Sequence, residues 1–260
     1  MTVALILMGC FVGFLVSATT GVGGALVMLP LLALVVPADV AVALATPVML
    51  VNNLGKLVLL RGSLDRAFLR RTMLGAVPGA VAGSLLLGFV PEGVVRRAIG
   101  VFLIVYVATS VFASTYLPRV GRLGVVGWGA ITGFVAGLVG AAGPTSAAAM
   151  RGYGLDREAL VATGAAISVG LQLVKLPVFA AVGLIHAGDV PLMAALCATA
   201  LAAAYAGRAL LRRMDTATFE RVLLAALLLL GLLMLWGDRT RAWDPGAGLA
   251  AGRPLGGRGG

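Results

Sequence analysis

Charge is what this chain has least of. Only 12% of its 260 residues are charged, against about 25% in an ordinary soluble domain. A surface covered by water cannot be built from that supply. The few acids, Asp39, Asp65, Glu92, Asp156, Glu158, Asp189, Asp215, Glu220, Asp238 and Asp244, fall at the ends of apolar stretches, in loops or in the C-terminal segment. No carboxylate therefore stands inside a stretch to relay protons or hold a cation, which argues against a cation transporter. Histidine occurs once, as His186 beside Asp189 in a short loop, and reads as an interfacial residue rather than a catalyst. HExxH, GxSxG and paired intramembrane acids are missing, so an intramembrane hydrolase has no visible constellation. The two cysteines, Cys10 and Cys197, have no CxxC spacing and no histidine neighbour, which excludes a disulfide framework or a zinc site. Leu7-Met8-Gly9-Cys10 has the form of a lipoprotein cleavage site, but a signal peptide needs a basic n-region. No Lys or Arg precedes residue 56, so the stretch reads as a membrane span.

Apolar residues are what the chain has instead. They make up 60% of it, and the mean hydropathy is +1.06. Crossing the hydrocarbon takes roughly 20 mostly apolar residues. Such runs occupy 3–19, 25–36 (short), 40–60, 68–90, 94–117, 123–150, 159–185, 188–211 and 218–236. This is an all-α polytopic membrane protein of seven or eight crossings. The net charge is +10. Nucleic-acid sites need clustered cations with exposed aromatics, whereas these arginines lie in short loops between apolar runs. Positive-inside topology and contact with anionic membrane lipid account for them better. Residues 238–260 are rich in Gly, Arg and Pro and are expected to be a disordered tail.

The chain repeats itself. An offset of 119 separates Gly21 from Gly140, Asn53 from Gln172 and Lys56 from Lys175. At an offset of 124, Gly79-x-x-x-Gly83 meets Ala203-x-x-x-Gly207, and Arg97 meets Arg221. Residues 1–117 and 118–237 thus read as two pseudo-symmetric repeats of about four membrane segments each. Gly-rich stretches interrupt the first and sixth apolar regions, at Thr19–Gly24 and Gly140–Pro144. If each break makes a re-entrant hairpin, the repeats are inverted. The loops at 61–71, 117–122, 151–157 and 208–213 then share one side with eleven arginines, and those at 37–39, 90–97 and 184–190 share the other with two. If the broken segments cross instead, the arginines divide nearly evenly. The positive-inside rule favours the inverted layout with both termini outside. Gly75, Gly79 and Gly83, four apart on one face, mark a site of close helix packing.

Two signals carry chemistry. At a Gly-rich break, a helix that restarts inside the membrane aims free N–H groups and a positive dipole end into the cavity it borders, which suits an anion. Gly21, Gly23, Gly24, Gly140 and Gly143 are the candidates. Pro144 fits the first turn of such a restart, and Thr145 is placed to donate to a bound oxyanion. The structural alternative is that these glycines only permit a kink or tight packing. The lysines are the second signal. Among 20 basic residues only Lys56 and Lys175 are lysine, and each follows a side-chain amide, Asn53 or Gln172, by three positions. That spacing puts amide and ammonium on one helix face. Lys175 lies well inside its run, where a charge is a functional hypothesis by default. Lys56 lies close enough to Arg61 to snorkel to the interface. The remaining polar residues inside runs, Thr19, Thr20, Thr46, Asn52, Thr145, Ser146, Thr163 and Ser168, are individually structural in most helices.

Taken together, Gly-Val-Gly-Gly at 21–24 followed by Pro30, then Ala43-x-x-Thr46, Gly133-Phe134-x-x-Gly137 ahead of the second break, and the duplicated layout resemble the sulfite exporter TauE/SafE family of membrane transporters. The resemblance covers about residues 5–236. It implies a permease for a sulfur-containing oxyanion, a sulfonate or a related organic anion, in the cell membrane of a bacterium. It implies gradient-driven transport, with H+ or Na+ as a possible coupling ion, and no cofactor or enzymatic step. Two departures stand out: the second break is Gly-Ala-Ala-Gly-Pro, less rich in glycine than the family tends to be, and Pro30 has no counterpart near Met150. Readings that stay open are a passive anion channel, a membrane subunit without transport of its own, and a membrane enzyme using His186.

Overall fold

The computed structural model describes residues 2–20, 24–112, 121–211 and 216–236. Among these residues it is helical throughout, with no strand. The helices are α1 (Thr2–Thr20), α2 (Gly24–Ala33), α3 (Ala38–Leu60), α4 (Arg66–Phe89), α5 (Glu92–Phe112), α6 (Arg122–Val139), α7 (Gly143–Tyr153), α8 (Arg157–Ala181), α9 (Val190–Leu211) and α10 (Thr216–Trp236). The expected tail at 238–260 and the boundary at 117–118 lie outside the described residues. Helices α3, α4, α5 and α8 are long and apolar enough to cross a membrane, and Leu123–Val139, Ala187–Ala203 and Arg221–Trp236 are shorter apolar helical stretches. Outward-facing side chains such as Leu59, Leu74, Val101, Val105 and Leu229 are apolar and exposed. A surface of that kind is at home against lipid, not water.

The order of lengths recurs. A long helix, a short one and three long ones make up α1–α5, and the same series makes up α6–α10. The short members, α2 and α7, have 10 and 11 residues. At 1.5 Å per residue each is about 15–17 Å long, half the hydrocarbon thickness. The run at 123–150 is thus two helices, because the backbone turns at Gly140 (φ 83°). Asp65 starts α4 by accepting from the Phe68 N–H at 2.8 Å, and Asp156 starts α8 by accepting from the Ala159 N–H at 2.8 Å.

Neighbour relations give the direction of each helix. Residues 61–65 lie beside the start of α8: Ser63 Oγ donates to Glu158 at 3.2 Å, and the Asp65 N–H donates to Thr163 Oγ1 at 3.0 Å. Arg71 reaches Tyr153 OH at 3.0 Å. The loops at 61–66 and 153–157 therefore share one face. At the other ends of α4 and α8, a Cβ on Gly88 would come within 2.9 Å of Val182. The Glu92 carboxyl lies close to the Ala38 backbone, which puts 37–39 on that second face as well. Helix α6 runs parallel to α4, since Gly75, Gly79 and Gly83 rest in turn on the backbone of Val126, Ala130 and Phe134. It therefore enters from the face of 61–66, breaks, and returns through α7 to Tyr153 on the same face. Helix α2 folds back on α1, with Gly9 against Leu31 and Gly13 against Met28, and leads to 37–39. The two hairpins start from opposite faces of the helix bundle, and each folds back toward the face from which it starts.

The halves interlock. Helix α1 packs on α9, α4 on α6, α3 on α8 and α5 on α10. The α4–α6 seam is the closest. Gly129 and Gly133 answer from α6 by resting on the Thr72 and Ala76 carbonyls, so backbone meets backbone. Small residues allow that approach, and dispersion over the contact replaces a hydrophobic drive that lipid does not supply.

Candidate functional site

A cavity of about 100 Å³ opens at the second break, between α2, α3, α7 and α8. One water needs roughly 10–15 Å³ on the same scale, so a small polyatomic ion and some water fit. The side chains reach it by helical spacing. From α3 come Met49, Asn52, Asn53 and Lys56, and from α8 come Val161, Gly164, Ala165, Ser168 and Gln172. These follow steps of three and four, so each helix gives one face. The break itself, Gly140 to Pro144, forms another wall, with Met150 further along α7.

Local chemistry explains the break. Gly140 ends α6 in the left-handed conformation, φ 83°, with its N–H bonded to the Ala136 carbonyl at 3.0 Å. A side chain there would meet Leu29 of α2 at 2.9 Å. Helix α7 begins at Gly143 with Pro144 in its first turn and no side-chain cap. Its positive end borders the cavity, and an uncapped N-terminus favours an anion. The hydroxyls nearby are turned to the backbone. Thr145 Oγ1 donates to the Ala142 carbonyl and Ser146 Oγ to the Gly143 carbonyl, both at 3.0 Å.

The sequence candidates divide. Asn53, Lys56, Gly140, Gly143 and Gln172 come together around the cavity, with Asn52, Ser146 and Ser168 beside them. Thr145 sits in the same turn of α7 but is not part of the lining. Lys175 is not part of it either. It is 1% exposed, donates to Gln172 Oε1 at 3.0 Å, and lies over the Phe179 ring with Nζ 5.5 Å from its centre. Asn53 Nδ2 donates to the Met49 carbonyl at 2.9 Å. Gly21 and Gly23 lie outside the described residues, and Gly24 is the first residue of α2. His186 is exposed and caps the turn at 187–189 with Asp189, its N–H donating at 2.9 Å, a structural duty away from the cavity. Among the lining residues there is no Asp or Glu, and among the described residues no group of His, Cys, Asp and Glu could hold a metal ion.

The apolar part of the wall, Met49, Met150, Leu160, Val161 and Gly164, escaped sequence reasoning. One signal for it was present: Met49 and Val161 fall on the helical faces of Asn53 and Ser168. Which residues of α7 face them depends on the hairpin's fold, which the spacing does not encode.

A family model described as Sulfite exporter TauE/SafE matches residues 5–234. Comparison with curated proteins and with solved structures gives no match. The match takes in nearly the whole chain, including both hairpins and the cavity between them, and the chain therefore belongs to the TauE/SafE sulfite exporter family of integral membrane transporters, whose substrates are small anions.

Proposed function

We propose that this chain carries a small sulfur-containing oxyanion or sulfonate across the membrane by alternating access, the substrate resting in the cavity at the second break. One observation carries the reading: Lys56, the amides of Asn52 and Gln172 and the positive end of α7 meet at one cavity whose lining contains no carboxylate. Donors without a competing acid select an anion, and an ammonium in a space walled by apolar side chains attracts it more strongly than it would in water. Lys56 serves as the direct charge, because it borders the cavity and Lys175 does not. The apolar wall of Met49, Met150, Leu160 and Val161 has room for a short carbon chain, which supports sulfonates alongside inorganic ions. The inverted hairpins support alternating access, since two halves of equal build can exchange the face from which the site is reached.

The test is uptake of labelled sulfite, sulfate and a short alkylsulfonate by proteoliposomes, for the unmodified protein and for Lys56→Met. Saturable uptake with counterflow, weakened in the variant, is the expected result. Flux that neither saturates nor shows counterflow would point to a passive channel. A folded protein that moves none of the three would sink the reading in favour of a subunit without transport of its own. Repeating the uptake with imposed H+ and Na+ gradients identifies a coupling ion.

A further inference from the structure

We infer that Lys175 is a positioning residue: it holds the Gln172 amide by its oxygen so that the NH2 edge is the one turned to the anion. This rests on the anion-transport reading above and assigns a role within the same site. The geometry has three parts. Gln172 borders the cavity and is 5% exposed, and Lys175, one turn deeper on α8, is 1% exposed. Lys175 Nζ donates to Gln172 Oε1 at 3.0 Å. On its other flank the ammonium faces the Phe179 ring, where a cation is attracted by the ring's negative face.

An ammonium has donors and no acceptor. The amide must therefore meet it with oxygen, because the flipped amide would set two donors against each other at 3.0 Å. With its oxygen turned to Lys175, Gln172 keeps both N–H groups for other partners. Donation to the carbonyl also polarises the amide and strengthens those N–H groups as donors. The matching amide of the first half is placed otherwise: Asn53 gives one of its two N–H groups to the Met49 carbonyl, which leaves its oxygen and one N–H. Gln172 thus keeps two N–H groups for an anion where Asn53 keeps one. Lys175 acts on the substrate through Gln172 without touching it.

The experiment measures KM and kcat for sulfite uptake in proteoliposomes for the unmodified protein, Gln172→Glu, Lys175→Met, Gln172→Leu and the double variant Lys175→Met/Gln172→Leu. Gln172→Glu preserves the acceptor for Lys175, so the partnership and the fold are kept while the cavity edge changes from donor to acceptor. Its KM should rise about tenfold or more, the loss of a hydrogen bond to a charged group, with kcat changed far less. Lys175→Met should raise KM in the same sense. The double variant should be no worse than the weaker-binding single one, because both remove the same contact. An unchanged KM in Gln172→Glu, or single effects that multiply in the double variant, overturns the role of Lys175 while leaving transport standing. Unmodified protein that takes up no sulfite overturns the transport reading and this role with it.

Discussion

Two lysines stand at corresponding positions of the two halves, and their surroundings differ. Lys56 borders the cavity on α3, and Lys175 is enclosed behind Gln172 on α8. Spacing alone identified both, because an amide three residues ahead puts each pair on one face. On spacing and depth both were candidates for the charge, Lys175 the stronger for its depth in the run, with snorkelling to the interface an alternative for Lys56. Depth along a helix is legible in a sequence, but the side of the helix on which a neighbour leaves a space is not. At this scale Lys56→Met should raise the KM for anion uptake about tenfold or more, and Lys56→Arg should restore part of the loss, since charge is kept but the compact ammonium is replaced by a wider planar group. Equal KM values for Lys56→Met and the unmodified protein would remove Lys56 from the site. Gly140 is tested by stability. A left-handed φ costs a residue with a side chain about 1–2 kcal/mol, and the Cβ would also press on Leu29. Gly140→Ala should lower the thermal midpoint in detergent and reduce uptake, because the wall of the cavity shifts with the turn. A variant with unaltered melting would mean that the turn tolerates a side chain.

At the scale of elements, the helix ends lie close to the ends of the apolar runs. Asp65 and Asp156 cap α4 and α8, a duty that run ends alone did not announce, and Gly140 ends α6 at the Gly-rich break. The seam between α4 and α6 was half legible. Gly75, Gly79 and Gly83 announced a close approach, but nothing in them named the partner, because a small-residue stripe fits any helix with a matching one. The partner is Gly129, Gly133 and Gly137, in the other half of the chain. Replacing a cap costs an ordinary amount: Asp65→Ala should destabilise by about 1 kcal/mol, the usual value for losing such a bond. Gly133→Leu is of another order. Its side chain would occupy the space of the Ala76 backbone, which cannot yield without parting the helices. That variant should fail to give monodisperse protein in detergent, whereas Asp65→Ala should purify normally with a slightly lowered midpoint. Size-exclusion profiles of the two, side by side, test whether the seam or the cap is the stronger constraint.

Across the whole molecule, the hairpins set the topology. The first enters from the face that carries residues 37–39 and the second from the face of 61–66 and 153–157. Had both segments crossed, the two halves would lie parallel and the arginines of the loops would be shared between the faces. As built, Arg61, Arg66, Arg70, Arg71, Arg151 and Arg157 gather at one end, while Arg96 and Arg97 stand at the start of α5 near the other. An uneven basic charge of that kind orients a membrane protein with its richer face toward the cytoplasm. We therefore expect Ser63 on the cytoplasmic face and Gly188 on the outer one. The check is labelling of intact cells with a membrane-impermeant maleimide, after Cys10 and Cys197 have been changed to alanine. Gly188→Cys should react in intact cells, and Ser63→Cys only after the membrane is opened. Reversed reactivity would keep the inverted halves but turn the protein over. Reaction of both from the same side would contradict the crossing of α8, which would then have to begin and end on one face of the membrane despite its 25 residues and about 37 Å of length.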